Sequence, residues 1–207
     1  MSYIQQLYLQ KKKEQEEQAM RNRHQNGVQV RFVANKVIKK YFEEFDEKRD
    51  LTLTVNRLNR LVELIDLIYR KEHQWKPLYN DGYIVTSHGL ALMHAILGSV
   101  YLLEEREEAK SRFERNETEY QIMSESVIDS ELNKEIDRLV EKVLYGTRYI
   151  DNVDLREMLN SKELQEFRYN ASEYQFAIIP NEIINELFAD FSFEKFEEFN
   201  AQEKLRV

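Results

Sequence analysis

The chain contains no cysteine, so disulfides, cysteine-ligated zinc and thiolate catalysis are excluded. Nothing in that usage argues for an oxidising compartment. Only five glycines and two prolines occur in 207 residues. So few chain breakers favour long helices over many short strands and turns. No apolar run approaches the roughly 20 residues that a membrane-spanning helix needs. The glycines are scattered, so there is no phosphate-cradling loop, and neither an H-E-x-x-H helix nor a G-x-S-x-G elbow occurs. With 38 acidic against 30 basic side chains the formal charge is −8, which opposes bulk attraction to nucleic acid or an anionic membrane.

What is present is a charged, helix-forming chain long enough for one ordinary domain. Its charge is polarised. Residues 11–31 carry six basic and three acidic side chains, and the segment from Asn181 to Val207 carries seven acidic and three basic ones. Residues 1–27 read as a polar, helix-prone arm without the apolar centre of a signal peptide, so a cytoplasmic location is expected. Residues 191–207 read as an acidic tail rich in phenylalanine. Phe193, Phe196 and Phe199 recur every three residues, a drifting helical stripe that docks on the chain's own core, with Ser192 as its cap.

Between these ends, residues 28–190 show repeated helical patterning. Val30, Val33, Val37, Tyr41 and Phe45 mark a helix over 28–45. Val55, Leu58, Leu61, Ile65 and Ile68 mark a second, capped by Thr54. Val62, Leu64 and Leu67 make that helix apolar over much of its girth, so it is expected at the centre. Trp75, Pro77, Gly82 and Gly89 then gather in a turn-rich segment, with Asn80-Asp81-Gly82 as a turn and Tyr83-Ile84-Val85 as a short strand. A long helix is expected from 89 to 115. Another runs over about 130–145, on Leu132, Ile136, Leu139, Val140 and Val143, stopped by Gly146. Asp151-Asn152 opens a short helix with Leu155, Met158 and Leu159. Residues 174–179 read as a strand, and Pro180 begins a last core helix carrying Ile183, Ile184, Leu187 and Phe188. The expected fold is mainly α: a compact bundle of six to seven helices with a small two-stranded β ribbon.

The residues do not name a reaction. His88 and His94 are six apart, on different helical faces, and His73 and His24 are isolated, so no metal or other cofactor is expected. Ser87 and His88 are merely adjacent, which is poor geometry for a triad. Glu63 and Asp66 lie three apart and share one helical face, where two carboxylates could share a proton in a cleft, though the spacing far more often means a solvated face.

The order of features resembles a diverged Panacea domain, the SocA-like antitoxin family found in toxin–antitoxin pairs and prophages. The family opens with a helix of the form "vAnyfi", and this chain has Val33-Ala34-Asn35-Lys36-Val37-Ile38. The family's "lTplkLqKLlYfa…g.pLf" is matched in order by Thr54, Leu58, Leu61, Pro77, Leu78 and Tyr79. Its "W.yGPV" element corresponds to the stretch holding His88-Gly89, and its second half is similar around Leu139, Val143, Tyr145, Leu155 and Leu159. The closing "I..e.I..yF" resembles Ile179 to Phe188. The chain departs from the pattern at Thr86, at Leu90-Ala91 and at Asn59-Arg60, which stand for Trp, Pro-Val and Gln-Lys, and it lacks a Thr-His-Pro-Trp element near 159–172.

The resemblance covers residues 30–190 and implies a non-enzymatic domain that neutralises a partner by binding it. The partner would be a cognate toxin or, for a phage or mobile-element relative, a host defence protein. A nucleic-acid-binding regulator using Lys11 to Arg31 is the alternative outside that class. Neither a membrane nor nucleic acid is the expected partner, while a second copy of the chain stays open. The candidate partner-binding residues are Trp75, Tyr79, Tyr83, Ser87, His88 and Gly89 of the turn-rich segment, with Asn59 and Arg60 beside it in the family order.

Overall fold

Apolar residues repeating at three and four place the helices. In the computed structural model, which describes residues 30–45, 53–79, 81–86, 89–92, 130–160 and 178–206, the first of these is α1, Val30–Glu44. Val30, Val33, Val37 and Tyr41 line its buried side and Phe45 continues it. α2, Val55–Glu72, starts at Thr54, whose hydroxyl accepts from the Arg57 backbone N–H at 3.2 Å. The same hydroxyl accepts from the Asn152 side-chain amide at 3.2 Å, which ties the start of α2 to a later helix. Such a cap is worth about 1 kcal/mol.

α2 is the central element. Leu58, Leu61, Val62, Leu64, Ile65, Leu67 and Ile68 are all buried, so the helix is covered nearly all round. Each fully buried leucine or isoleucine contributes roughly 1.5–3 kcal/mol. α2 packs against α1, against α3 (Ser130–Gly146) and against the short α4 (Asn152–Leu159). Asp151 caps α4 by accepting from the Val153 and Asp154 N–H groups, both at 2.8 Å. The chain ends in α5 (Asn181–Leu187) and α6 (Glu194–Lys204). Six helices are thus seen among the described residues, and the protein is mainly α.

The small β part differs from expectation. β1 (Tyr83–Thr86) lies between β2 (Gly89–Leu92) and β3 (Ile178–Ile179), antiparallel to both. Tyr83 faces Leu92 on one side and Ile179 on the other. Three strands therefore stand where a two-stranded ribbon is expected, and the helix expected to begin at residue 89 begins with a strand instead. Leu90, Ala91 and Leu92 favour a helix by local propensity, and antiparallel pairing with β1 overrides that preference. The remainder of that expected helix, the arm 1–27 and residues 174–177 lie outside the described residues.

Three local expectations change their physical reason. Gly146 is the last residue of α3, and what it supplies is space: a Cβ there would come 2.7 Å from Phe193 Cζ. Pro180 sits at the cap of α5, one residue before the first helical turn. Ser192 does not cap α6. Its hydroxyl donates to the Glu194 carboxylate, and Phe193 occupies the cap position without a side-chain bond.

The phenylalanines of the tail do dock on the common core. Phe188, Phe193 and Phe196 are buried, while Phe191 and Phe199 pack against them. Phe193 and Phe196 stack at 5.7 Å. Asn200 completes the docking of α6 on α3: its side-chain oxygen accepts from the Tyr149 N–H at 2.7 Å, and its amide donates to the Tyr145 carbonyl at 3.1 Å.

Candidate functional site

A helix covered nearly all round leaves the charged residues of its middle turns little access to water. Glu63 and Asp66 on α2 are only 1% and 0% exposed, which overturns the expectation of a solvated face. Buried carboxylates persist only where donors replace the lost water. Asp66 has three: Arg70 Nε at 2.6 Å, the Leu78 backbone N–H at 2.9 Å and the Tyr83 hydroxyl at 2.8 Å. The spacing of four between Asp66 and Arg70 puts both on one helical face.

Arg70 carries the network outward. Its Nη1 donates to Asn185 Oδ1 and its Nη2 to Asn181 Oδ1, both at 2.9 Å, so α5 is joined to α2 by two amides. Arg70 Cζ also lies 5.7 Å from the centre of the Tyr83 ring. Asn185 Nδ2 in turn donates to the Trp75 carbonyl at 3.3 Å.

That last bond reaches the turn after α2. Gln74 and Trp75 have φ of 54° and 65°, two successive side-chain-bearing residues in the left-handed region. For a residue as bulky as tryptophan this is a true outlier. The turn is gripped by backbone bonds: the Trp75 N–H donates to the Arg70 carbonyl at 2.6 Å, and the Lys76 N–H to the His73 carbonyl at 3.1 Å. The first of these is the six-to-one bond of a helix end that usually has glycine at the left-handed position. Lys71 extends over the Trp75 ring, 4.9 Å from its centre, and donates to the Ala189 carbonyl at 2.7 Å.

The sequence-predicted residues divide. Trp75 is half-buried on the gripped turn. Tyr79 and Tyr83 are buried, and their hydroxyls are spent internally on the Val62 carbonyl at 3.0 Å and on Asp66. Burial pushes both phenols well above their ordinary value, with Asp66 adding to the effect. They hold the turn and do not present a surface to a partner, which corrects their assignment as contact residues. Asn59 and Arg60 lie half-buried on α2, and Arg60 Nη1 donates to Glu63 Oε2 at 2.7 Å. Gly89 belongs to β2, and Ser87 and His88 lie outside the described residues.

Glu63 is less completely satisfied than Asp66. Its Oε1 has no hydrogen-bond partner among the described residues. Burial raises its carboxyl above the ordinary value; Arg60 opposes the rise and Asp66 adds to it.

Sequence reasoning missed Arg57, Arg70, Asn181 and Asn185. The signal that points to the first two is their position on a helix already apolar over most of its girth, where an arginine must find internal acceptors. Among the described residues no cluster of three or more histidine, aspartate or glutamate side chains is arranged to hold a metal ion. His73 stacks on Tyr69 at 4.0 Å and stands 3.6 Å from Glu135. A shallow groove of about 440 Å³ runs between α3 and α6, and its Arg138, Glu141 and Lys142 are engaged in ion pairs with Glu72, Glu135 and Lys40. No family model, no curated protein and no solved structure matches this chain.

Proposed function

We propose that this chain is a non-enzymatic protein-binding inhibitor that acts as an antitoxin does, neutralising a toxin protein by direct contact through the turn at Gln74–Lys76. One observation carries this reading. Two successive non-glycine residues, one of them the chain's only tryptophan, are held in the left-handed region on a buried scaffold. Strain of this kind costs about 1–3 kcal/mol per residue and persists only where surrounding structure over-determines it. A half-exposed tryptophan on a rigid turn is the usual chemistry of an interface hot spot, because its two χ angles lose little entropy on binding. Polar side chains beside the turn, Lys71, His73 and Lys76, are exposed and give it a polar rim. The resemblance to the Panacea family supports the antitoxin form of the reading.

The test is co-expression with the product of the neighbouring gene, followed by co-purification. The neighbour is expected to be toxic alone and to co-purify with the full chain, and Trp75→Ala is expected to weaken the complex at least roughly tenfold, the scale of a hot-spot tryptophan. A neighbour that is harmless and never co-purifies would overturn the antitoxin reading. A complex indifferent to Trp75→Ala would overturn the role of the turn.

A further inference from the structure

We infer that Asn185 is the positioning residue of the Trp75 turn, fixing from α5 the side chain that the protein-binding reading assigns to recognition; the inference rests on that reading. Arg70 offers only donors, so the Asn185 amide must turn its oxygen toward Arg70 Nη1. That choice leaves Nδ2 as the group facing the Trp75 carbonyl, 3.3 Å away. Arg70 is itself fixed, since Asp66 holds its Nε and Asn181 its Nη2. The orientation of one amide is therefore set by a chain of donors and acceptors that starts in the core. The Trp75 peptide group region is gripped twice, its N–H by the Arg70 carbonyl and its carbonyl by Asn185. Both grips trace back to Arg70, one through its backbone and one through its guanidinium.

Asn181 supplies an internal comparison. It accepts from the other Arg70 nitrogen at 2.9 Å, from the same helix, and that bond does not involve Trp75. The two asparagines thus do the same thing for Arg70 and different things for the turn. An aspartate at either position keeps the oxygen that Arg70 needs. At residue 185 it also removes the Nδ2–H that reaches the Trp75 carbonyl, and it sets a carboxylate oxygen against that carbonyl.

The chain has one tryptophan, so its fluorescence reports the turn directly and without a partner. The experiment compares emission maximum and acrylamide quenching of the full chain with those of Asn185→Asp and Asn181→Asp. Urea midpoints of both variants check that the fold is retained. Asn185→Asp is expected to move emission to longer wavelength and to raise quenching, while Asn181→Asp leaves both as in the parent. Should Asn185→Asp fail to fold, Asn185→Ala is read in the same way. Unchanged emission and quenching in the Asn185 variant would overturn the inference, and so would equal changes in both variants, which would mean a general loosening around Arg70. The partner complex separates the two proposals. If Trp75→Ala leaves the complex intact while Asn185→Asp still moves the fluorescence, the role of the turn in recognition fails and the positioning role stands; if no complex forms at all, the protein-binding reading fails and the fluorescence result is unaffected.

Discussion

α2 carries a buried arginine near each end, and the two ends are built differently. Near its start, Arg57 donates to two backbone carbonyls, Ile150 at 2.6 Å and Thr147 at 2.7 Å, and so closes the turn between α3 and α4. Near its end, Arg70 donates to a carboxylate and two side-chain amides. Desolvation pulls the Arg57 guanidinium below its ordinary value, opposed by Tyr41 and Asp151. Backbone carbonyls are its hydrogen-bond partners among the described residues, and Asp151 acts on it only through its charge. The Arg57 turn contains no left-handed non-glycine residue, whereas the Arg70 turn contains both of those found among the described residues. An arginine on carbonyls is enough to join two helices. The ion pair and amide relay are found where the backbone is strained.

This contrast predicts unequal costs. Asp66→Ala removes the acceptor for Arg70, Tyr83 and the Leu78 N–H together. It leaves a buried guanidinium short of its counter-charge, a change expected to cost about 3–5 kcal/mol in urea unfolding. Arg57→Ala takes a donor from two buried carbonyls, of which Thr147 keeps the Ile150 N–H at 3.1 Å, and strands no charge, so about 1–3 kcal/mol is expected. The comparison breaks if Arg57→Ala proves the more costly of the two. In that case the carbonyl cap, and not the ion pair, is the more sensitive joint of α2.

A smaller effect separates the two buried carboxylates. Asp66 has three donors, whereas Glu63 has Arg60 on one oxygen and, among the described residues, nothing on the other. The proton on Glu63 is held more tightly in the folded chain than in the unfolded one, because burial raises the carboxyl above its ordinary 4.5. Stability from this group is therefore full below 4.5 and falls as pH rises through the folded-state value. Glutamine has no such proton to lose. Glu63→Gln is expected to gain on the parent steadily across that window and to run parallel below it. Urea midpoints taken from about pH 4 to about pH 8 measure the difference. Parallel curves throughout would mean that the Arg60 bond fully offsets the burial of Glu63.

The helices were legible because apolar spacing is a local signal. Val33, Val37 and Tyr41, or Ile136, Leu139 and Val143, state their buried face within one window. Thr54 and Asp151 were legible for the same reason, since a cap acts two or three residues away. β2 was not, because pairing with Tyr83 through Thr86 decides it and the four residues alone do not. The network was hidden by a similar non-locality. Glu63 and Asp66 read as a solvated face, and the Arg70 link from Asp66 to α5, more than a hundred residues later, is not visible in any local window. Only the girth of α2 hinted at it: a helix that apolar has no wet side left for Glu63, Asp66 and Arg70.

The smallest effect bears most directly on why the two ends differ. If the strain at residues 74 and 75 were an accident of a helix ending, relieving it would improve the protein in every respect. Gln74 has φ of 54°, where glycine carries no Cβ penalty. Gln74→Gly is expected to raise stability by about 0.5–1 kcal/mol, the relief at the left-handed position exceeding the extra freedom glycine gives the unfolded chain. The same change lets the turn sample more backbone states, so partner affinity through Trp75 is expected to stay level or fall despite the gain in stability. Stability and affinity rising together would put the strain down to mere history. Their divergence would mean that the Arg70 end of α2 holds a conformation the chain does not favour by itself, and that this conformation is the one the partner meets.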